Sequence, residues 1–241
     1  MSNLPIEVEQ SLADFVNATK DAFKTDLISV VLFGSAAEGR LRATSDVNLL
    51  LLLRRFEQAA ADALREPMRL AHAAVQLNAM FVLEAELPAA VDAFAVKFSD
   101  IIARHRILHG TDPFTGLHSS RDALIRRLKQ ILLNLQLRLR ERYVLISLRE
   151  EQLVQVIADS APPLRSAAAS LLQLEDHGEA TPKAALERVV QDLRDADLEA
   201  ALQQMSVARE SGQLEPGTVA PTMINLIRLT QHLRERVDLL A

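Results

Sequence analysis

The stretch LFGSAAEGRLRATSDVNLL, Leu32–Leu50, holds a glycine–serine pair and, eleven positions after the serine, an aspartate. An apolar run that ends in Gly34-Ser35 predicts a strand, Ile28–Phe33, closing in a tight turn. Gly34 lets the backbone turn, Ser35 supplies a hydroxyl, and a helix-like AAEGR segment after them would point free N–H groups at an anion. The run VNLLLLL, Val47–Leu53, predicts a second strand, too short for a typical helix, stopped by Arg54-Arg55 and buried on both faces. Residues 46 and 48 then project to one side, about 6.6 Å apart along the strand, close enough to converge on one centre.

Outward from this stretch, Pro5–Lys24 carries Ile6, Leu12, Phe15, Val16 and Phe23 at helical spacing. The alanine-rich segment Glu57–Ala74 predicts a second helix, interrupted near Pro67. A third strand is expected over Val75–Glu84, and no convincing strand beyond it. The segment His109–Ser120 reads as a connector, after which the composition is helical. One window, LNLQLRLR at Leu133–Arg140, alternates as a strand would. Leu128, Leu132, Leu135, Leu139 and Ile146 continue a helical stripe through it, so helix is the expectation and strand the minority view. Further helices are expected around Pro163–Leu174, Lys183–Ala208 and Val219–Leu240. The expected fold is α+β, a mixed sheet with helices over residues 1–115, followed by an all-α helical bundle over 116–241.

At 241 residues and 49% apolar composition, the chain can bury substantial cores. Zero cysteines exclude disulfides, thiol catalysis and cysteine-bound zinc. A net charge of -5 and few aromatics disfavour nucleic acid as a partner. No window is apolar enough for a membrane span and the acidic MSNLPIEVEQ start is unlike a signal peptide, so the expected location is cytoplasmic.

Gly-Ser, ten intervening residues and Asp-Val-Asn within apolar strands resemble the signature of the nucleotidyltransferase superfamily, to which polymerase β and the aminoglycoside nucleotidyltransferases belong. Gly34, Ser35, Ala37, Gly39, Ser45, Asp46 and the apolar Val47 and Leu49 match its pattern. The resemblance covers most of residues 25–115, including RILHGTDPF, which looks like the helix-to-loop exit of such domains. It implies an α+β core in which carboxylates of two strands hold two Mg²⁺ ions for nucleotide transfer, with Gly34 and Ser35 at the phosphates and Asp46 as the catalytic metal ligand.

This chain departs from that pattern where charge matters. Asn48 stands at the second carboxylate position, and Asn78, by register the candidate for the third, is again an amide. Glu84 shares the face of Asn78 but lies roughly 20 Å along the strand. Glu38 sits where a basic residue is often found, adding negative charge near an expected triphosphate. Metal binding is therefore expected to be weak.

Arg104 and His109 resemble an Arg-x4-His pair of helical ribonuclease domains, although solvated charges are the stronger explanation. The remaining histidines lack metal-ligand spacing. The basic segment Arg121–Arg142 could approach phosphates or RNA, with a solvated helix face the favoured reading.

The expected function is that of a nucleotidyltransferase-like protein, catalytically impaired or inactive, that binds a nucleotide or a partner. One alternative is an active Mg²⁺-dependent enzyme transferring a nucleoside monophosphate from a nucleoside triphosphate to a small-molecule or protein hydroxyl. Another is an antitoxin-like interaction module acting through the helical half, as a homodimer or as the partner of a toxin-like protein.

Overall fold

A computed structural model describes residues 4–41, 46–178 and 181–240 of the chain. The chain divides into two compact units, Met1–Ser119 and Ser120–Ala241.

The first unit is built on a four-stranded mixed sheet: β1 (Leu27–Phe33), β2 (Val47–Leu53), β3 (Leu77–Leu83) and β4 (His105–Gly110), in the spatial order β3-β2-β1-β4. β1 runs antiparallel to both β2 and β4. β2 and β3 are parallel, joined by a helical crossover. Its helices are α1 (Ile6–Phe23), α2 (Gln58–Val75), α3 (Leu87–Ala93) and α4 (Ala95–Ala103).

Successive side chains of a strand leave opposite faces, and the sheet has a core on each. On one face Val30, Leu32, Val47, Leu49, Leu51 and Leu77 pack with Val8, Leu12 and Phe15 of α1 and Leu64 and Ala71 of α2. On the other, Val31, Leu50, Leu52 and Val82 pack with Leu87 and Val91 of α3 and Phe98 and Ile101 of α4. β2 is thus buried on both sides, as its unbroken apolar run requires.

The structure corrects three expectations in this unit. α2 is not interrupted at Pro67 but runs straight through it, because packing against α1 holds the helix despite the missing N–H. Residues 105–110 form a strand where no strand was expected. RILHGTDPF accordingly leaves along a strand edge rather than from a helix. β4 stays half-buried up to an exposed Gly110, so it carries neither an apolar run nor a clean alternation for a sequence reading to detect.

The second unit is helical: α5 (Arg121–Ile146), α6 (Glu150–Leu174), α7 (Pro182–Leu193), α8 (Ala196–Ser211) and α9 (Val219–Asp238). α5 opens on a Ser120 side chain that accepts from the Ala123 amide, and it runs through the alternating window as one helix. Leu128, Leu132 and Leu139 supply its buried stripe. α6 packs against α5, α7, α8 and α9 and continues across Pro162-Pro163, starting earlier than expected. The single helix expected over Lys183–Ala208 is two. Arg194 takes the left-handed conformation (φ 52°), and Asp195 caps the new helix by accepting from the Asp197 and Leu198 amides. Among the described residues no helix is long and apolar enough to cross a membrane.

Gly110 ends β4 at φ +79°, and a Cβ there would run into the Ile28 carbonyl oxygen of the neighbouring strand. Gly110→Ala should therefore lower stability by about 2 kcal/mol or more, read as a fall in the urea midpoint with unchanged slope.

Candidate functional site

The site is assembled where β1 ends and β2 and β3 begin. In register, Asn48 of β2 is opposite Phe33 of β1 on one side and Asn78 of β3 on the other. Phe33 is in turn opposite His105 of β4. His105, Phe33, Asn48 and Asn78 therefore form one row across the sheet, with neighbouring strands about 4.8 Å apart. The row lies on the α3/α4 face, with Leu50 and Leu52 next along β2. Asn78 is thus the residue beside Asn48.

Both amides bond to their own strands. Asn48 Nδ2 donates to the Asp46 carbonyl at 3.4 Å, and Asn78 Nδ2 to the Gln76 carbonyl at 3.3 Å. Their Oδ1 atoms carry no formal charge. Asp46, exposed just before β2, is the carboxylate that extended-chain alternation sets on Asn48's side. Glu84 begins the short turn after β3, at the far end of that strand. Among the described residues no group of three His, Asp or Glu side chains is placed to hold a metal ion. Hard divalent cations such as Mg²⁺ accept neutral oxygens as well as carboxylates, but one carboxylate with two amides brings a single formal negative charge, a poor fit to a pair of such ions.

Gly34 takes φ +78°, in the left-handed region, where only glycine is unstrained. Beyond it the chain makes a three-residue 3₁₀ turn, Gly34–Ala36, and not the helix start expected from the sequence. Ala37 N donates to Gly34 O and Arg40 N to Ser35 O. A turn this short has no appreciable macrodipole, so whatever Ser35 contributes must come from its hydroxyl and local amides. Ser45 lies outside the described residues.

Glu38 also differs from expectation. Arg104, at the end of α4, donates to Glu38 Oε2 at 2.8 Å and also engages Asp100, and Arg40 lies 3.8 Å from Glu38. Glu38 and Arg104 are 19% and 20% exposed, so the pair is partly desolvated and the negative charge is compensated locally. The ribonuclease-like pairing of Arg104 with His109 does not form on a helix. Arg104 is a helix cap residue, while His109 sits in β4 with its carbonyl accepting from Ser29 Oγ at 3.0 Å.

Two residues at the row were absent from the sequence reading. Lys97 of α4 places Nζ 6.0 Å from the Phe33 ring centroid, within cation–π reach. His105 faces the Ile102 carbonyl at 3.0 Å and Asp112 at 3.4 Å, and its ring stacks edge-on with Phe114. A lone lysine on an apolar helix and a histidine in an unrecognised strand give no local pattern that could have singled them out.

In the second unit the basic segment is spread along α5. Arg126, Arg138, Arg140 and Arg142 are exposed, Arg121 donates to the Leu174 carbonyl at 2.7 Å, and Lys129 pairs with Asp238 at 2.9 Å.

No family model matches the chain, and no curated protein matches it in sequence. Its fold is similar to a solved one. The crystal structure of spectinomycin adenyltransferase AAD(9) from Enterococcus faecialis with ATP and spectinomycin superposes with a TM-score of 0.61. The identity is 10%, over 95% of this chain and 99% of that one. The architecture is that of a nucleotidyltransferase-like α+β sheet followed by a helical region.

Because Arg104 pairs with two partly buried carboxylates, Arg104→Met should cost roughly 1–2 kcal/mol in urea denaturation. Combining it with Glu38→Gln should cost less than the sum of the two single changes, since both act on one ion pair.

Proposed function

We propose that the chain is a nucleotidyltransferase-like protein that binds a nucleotide at the His105–Phe33–Asn48–Asn78 row and has lost most or all of its transfer activity. The observation that carries the reading is the parallel register of β2 and β3, which sets Asn48 and Asn78 side by side where the resemblance calls for carboxylates. Of Asp46, Asn48 and Asn78, the first is the one that carries a formal negative charge. The likeness to an adenyltransferase solved with ATP supports nucleotide as the ligand class.

Even perturbing the outer supports of a bound metal typically costs 10- to 100-fold in affinity or activity, so losing two of its charged ligands should cost at least as much. With radiolabelled ATP and small hydroxyl acceptors, spectinomycin among them, or the protein itself as acceptor, label transfer should stay at background. Asn48→Asp with Asn78→Asp should strengthen Mg²⁺–ATP affinity more than either change alone. Robust Mg²⁺-dependent transfer by the unmodified protein, abolished by Asp46→Ala, would instead establish a working enzyme.

A further inference from the structure

A site that recruits divalent ions is negative before the ions arrive, and a phosphate chain is repelled from it until they do. The row in this protein has a different balance. Asn48 and Asn78 each offer a second Nδ2 proton beyond the one given to the strand carbonyl. Two of the carboxylates that approach from neighbouring elements, Glu38 and Asp100, share the Arg104 guanidinium, and Arg40 lies 3.8 Å from Glu38. Lys97 is exposed, stands over Phe33 in the middle of the row, and makes no ion pair among the described residues. Lys97 thus brings a cation to the row beside the two neutral amide donors, with Asp46 the carboxylate at the start of β2.

We propose that this end of the sheet takes the oligophosphate chain of a nucleotide directly, without a bridging divalent ion, with Lys97 Nζ as the counter-charge and the Asn48 and Asn78 amides as donors. The inference rests on the nucleotide-binding reading above and adds the charge type of the bound species: the free nucleotide anion rather than its magnesium complex. It assigns Asp46 a role of opposite sign from that of a metal ligand. In a metal-bridged site its charge attracts the ion; in this one it repels the phosphates.

Asp46→Asn therefore separates the two arrangements, and both Asp46 and Lys97 are exposed, so their substitution leaves the fold intact. ATP is titrated calorimetrically into the full chain, once in excess EDTA and once in excess Mg²⁺. ATP should bind at least as tightly in EDTA as in Mg²⁺. In EDTA, Asp46→Asn should bind about fivefold more tightly, the worth of one charge pair at contact in water, and Lys97→Gln weaker by about the same factor. Binding seen only with Mg²⁺ and abolished by Asp46→Asn would overturn the metal-free assignment while leaving the nucleotide-binding reading in place. Absence of ATP binding in both buffers would overturn both.

Discussion

The parallel ladder between β2 and β3 is the constraint on which the rest of the first unit depends. Because β2 is central, with β1 hydrogen-bonded on one side and β3 on the other, a slip of one residue would turn Leu49, Leu51 and Leu53 out of one core and Leu50 and Leu52 out of the other. Register is therefore held by apolar packing along the whole strand. The same register then dictates, with no freedom left, which polar residues meet at the strand's start. Asn48 and Asn78 are neighbours because the leucines behind them admit no alternative.

Charge at the site is set from outside the sheet. Arg104 stands at the C-terminal end of α4 and ties together Asp100 of its own helix and Glu38 from the segment after the Gly34 turn. One guanidinium thereby pairs with two acidic groups and offsets part of the negative charge they bring to the local field. Lys97, two helical turns earlier on the same helix, brings a positive charge that makes no ion pair among the described residues. α4 supplies most of the electrostatic character that the strands themselves lack.

How much of this was legible in the sequence follows from burial. β2 could be read because a strand covered on both faces must be a short, unbroken apolar run, and Arg54-Arg55 marks its end. β1 could be read for the same reason. β4 could not, since HRILHG is half-buried up to an exposed Gly110 and mixes histidines and an arginine with two aliphatics. Missing β4 concealed His105 and made the Arg104–His109 spacing look helical. The third run was read as Val75–Glu84, and the structure trims it to Leu77–Leu83, which sets Asn78 beside Asn48. The compensation of Glu38 was not legible, because its partner is 66 residues away and nothing local announces the contact. In the second unit the leucine stripe of α5 outweighed the alternation of LNLQLRLR. The break at Arg194 depends on one residue adopting positive φ, which arginine does not advertise.

The placement of β4 also shapes how the chain reaches this fold. β4 closes the second edge of β1, and the Ser29–His109 bond joins residues 80 positions apart. During synthesis β1 and β2 can pair early, and β3 joins through its helical crossover. The outer edge of β1, with Val30, Val31 and Leu32 in sequence, nevertheless has no partner until the chain beyond residue 105 has emerged. Such an open, apolar strand edge is a template for pairing with another nascent chain. The interval between the appearance of β2 and that of β4 is thus the period in which this protein is most exposed to misassembly, and the long-range closure of β1 by β4 is what ends it.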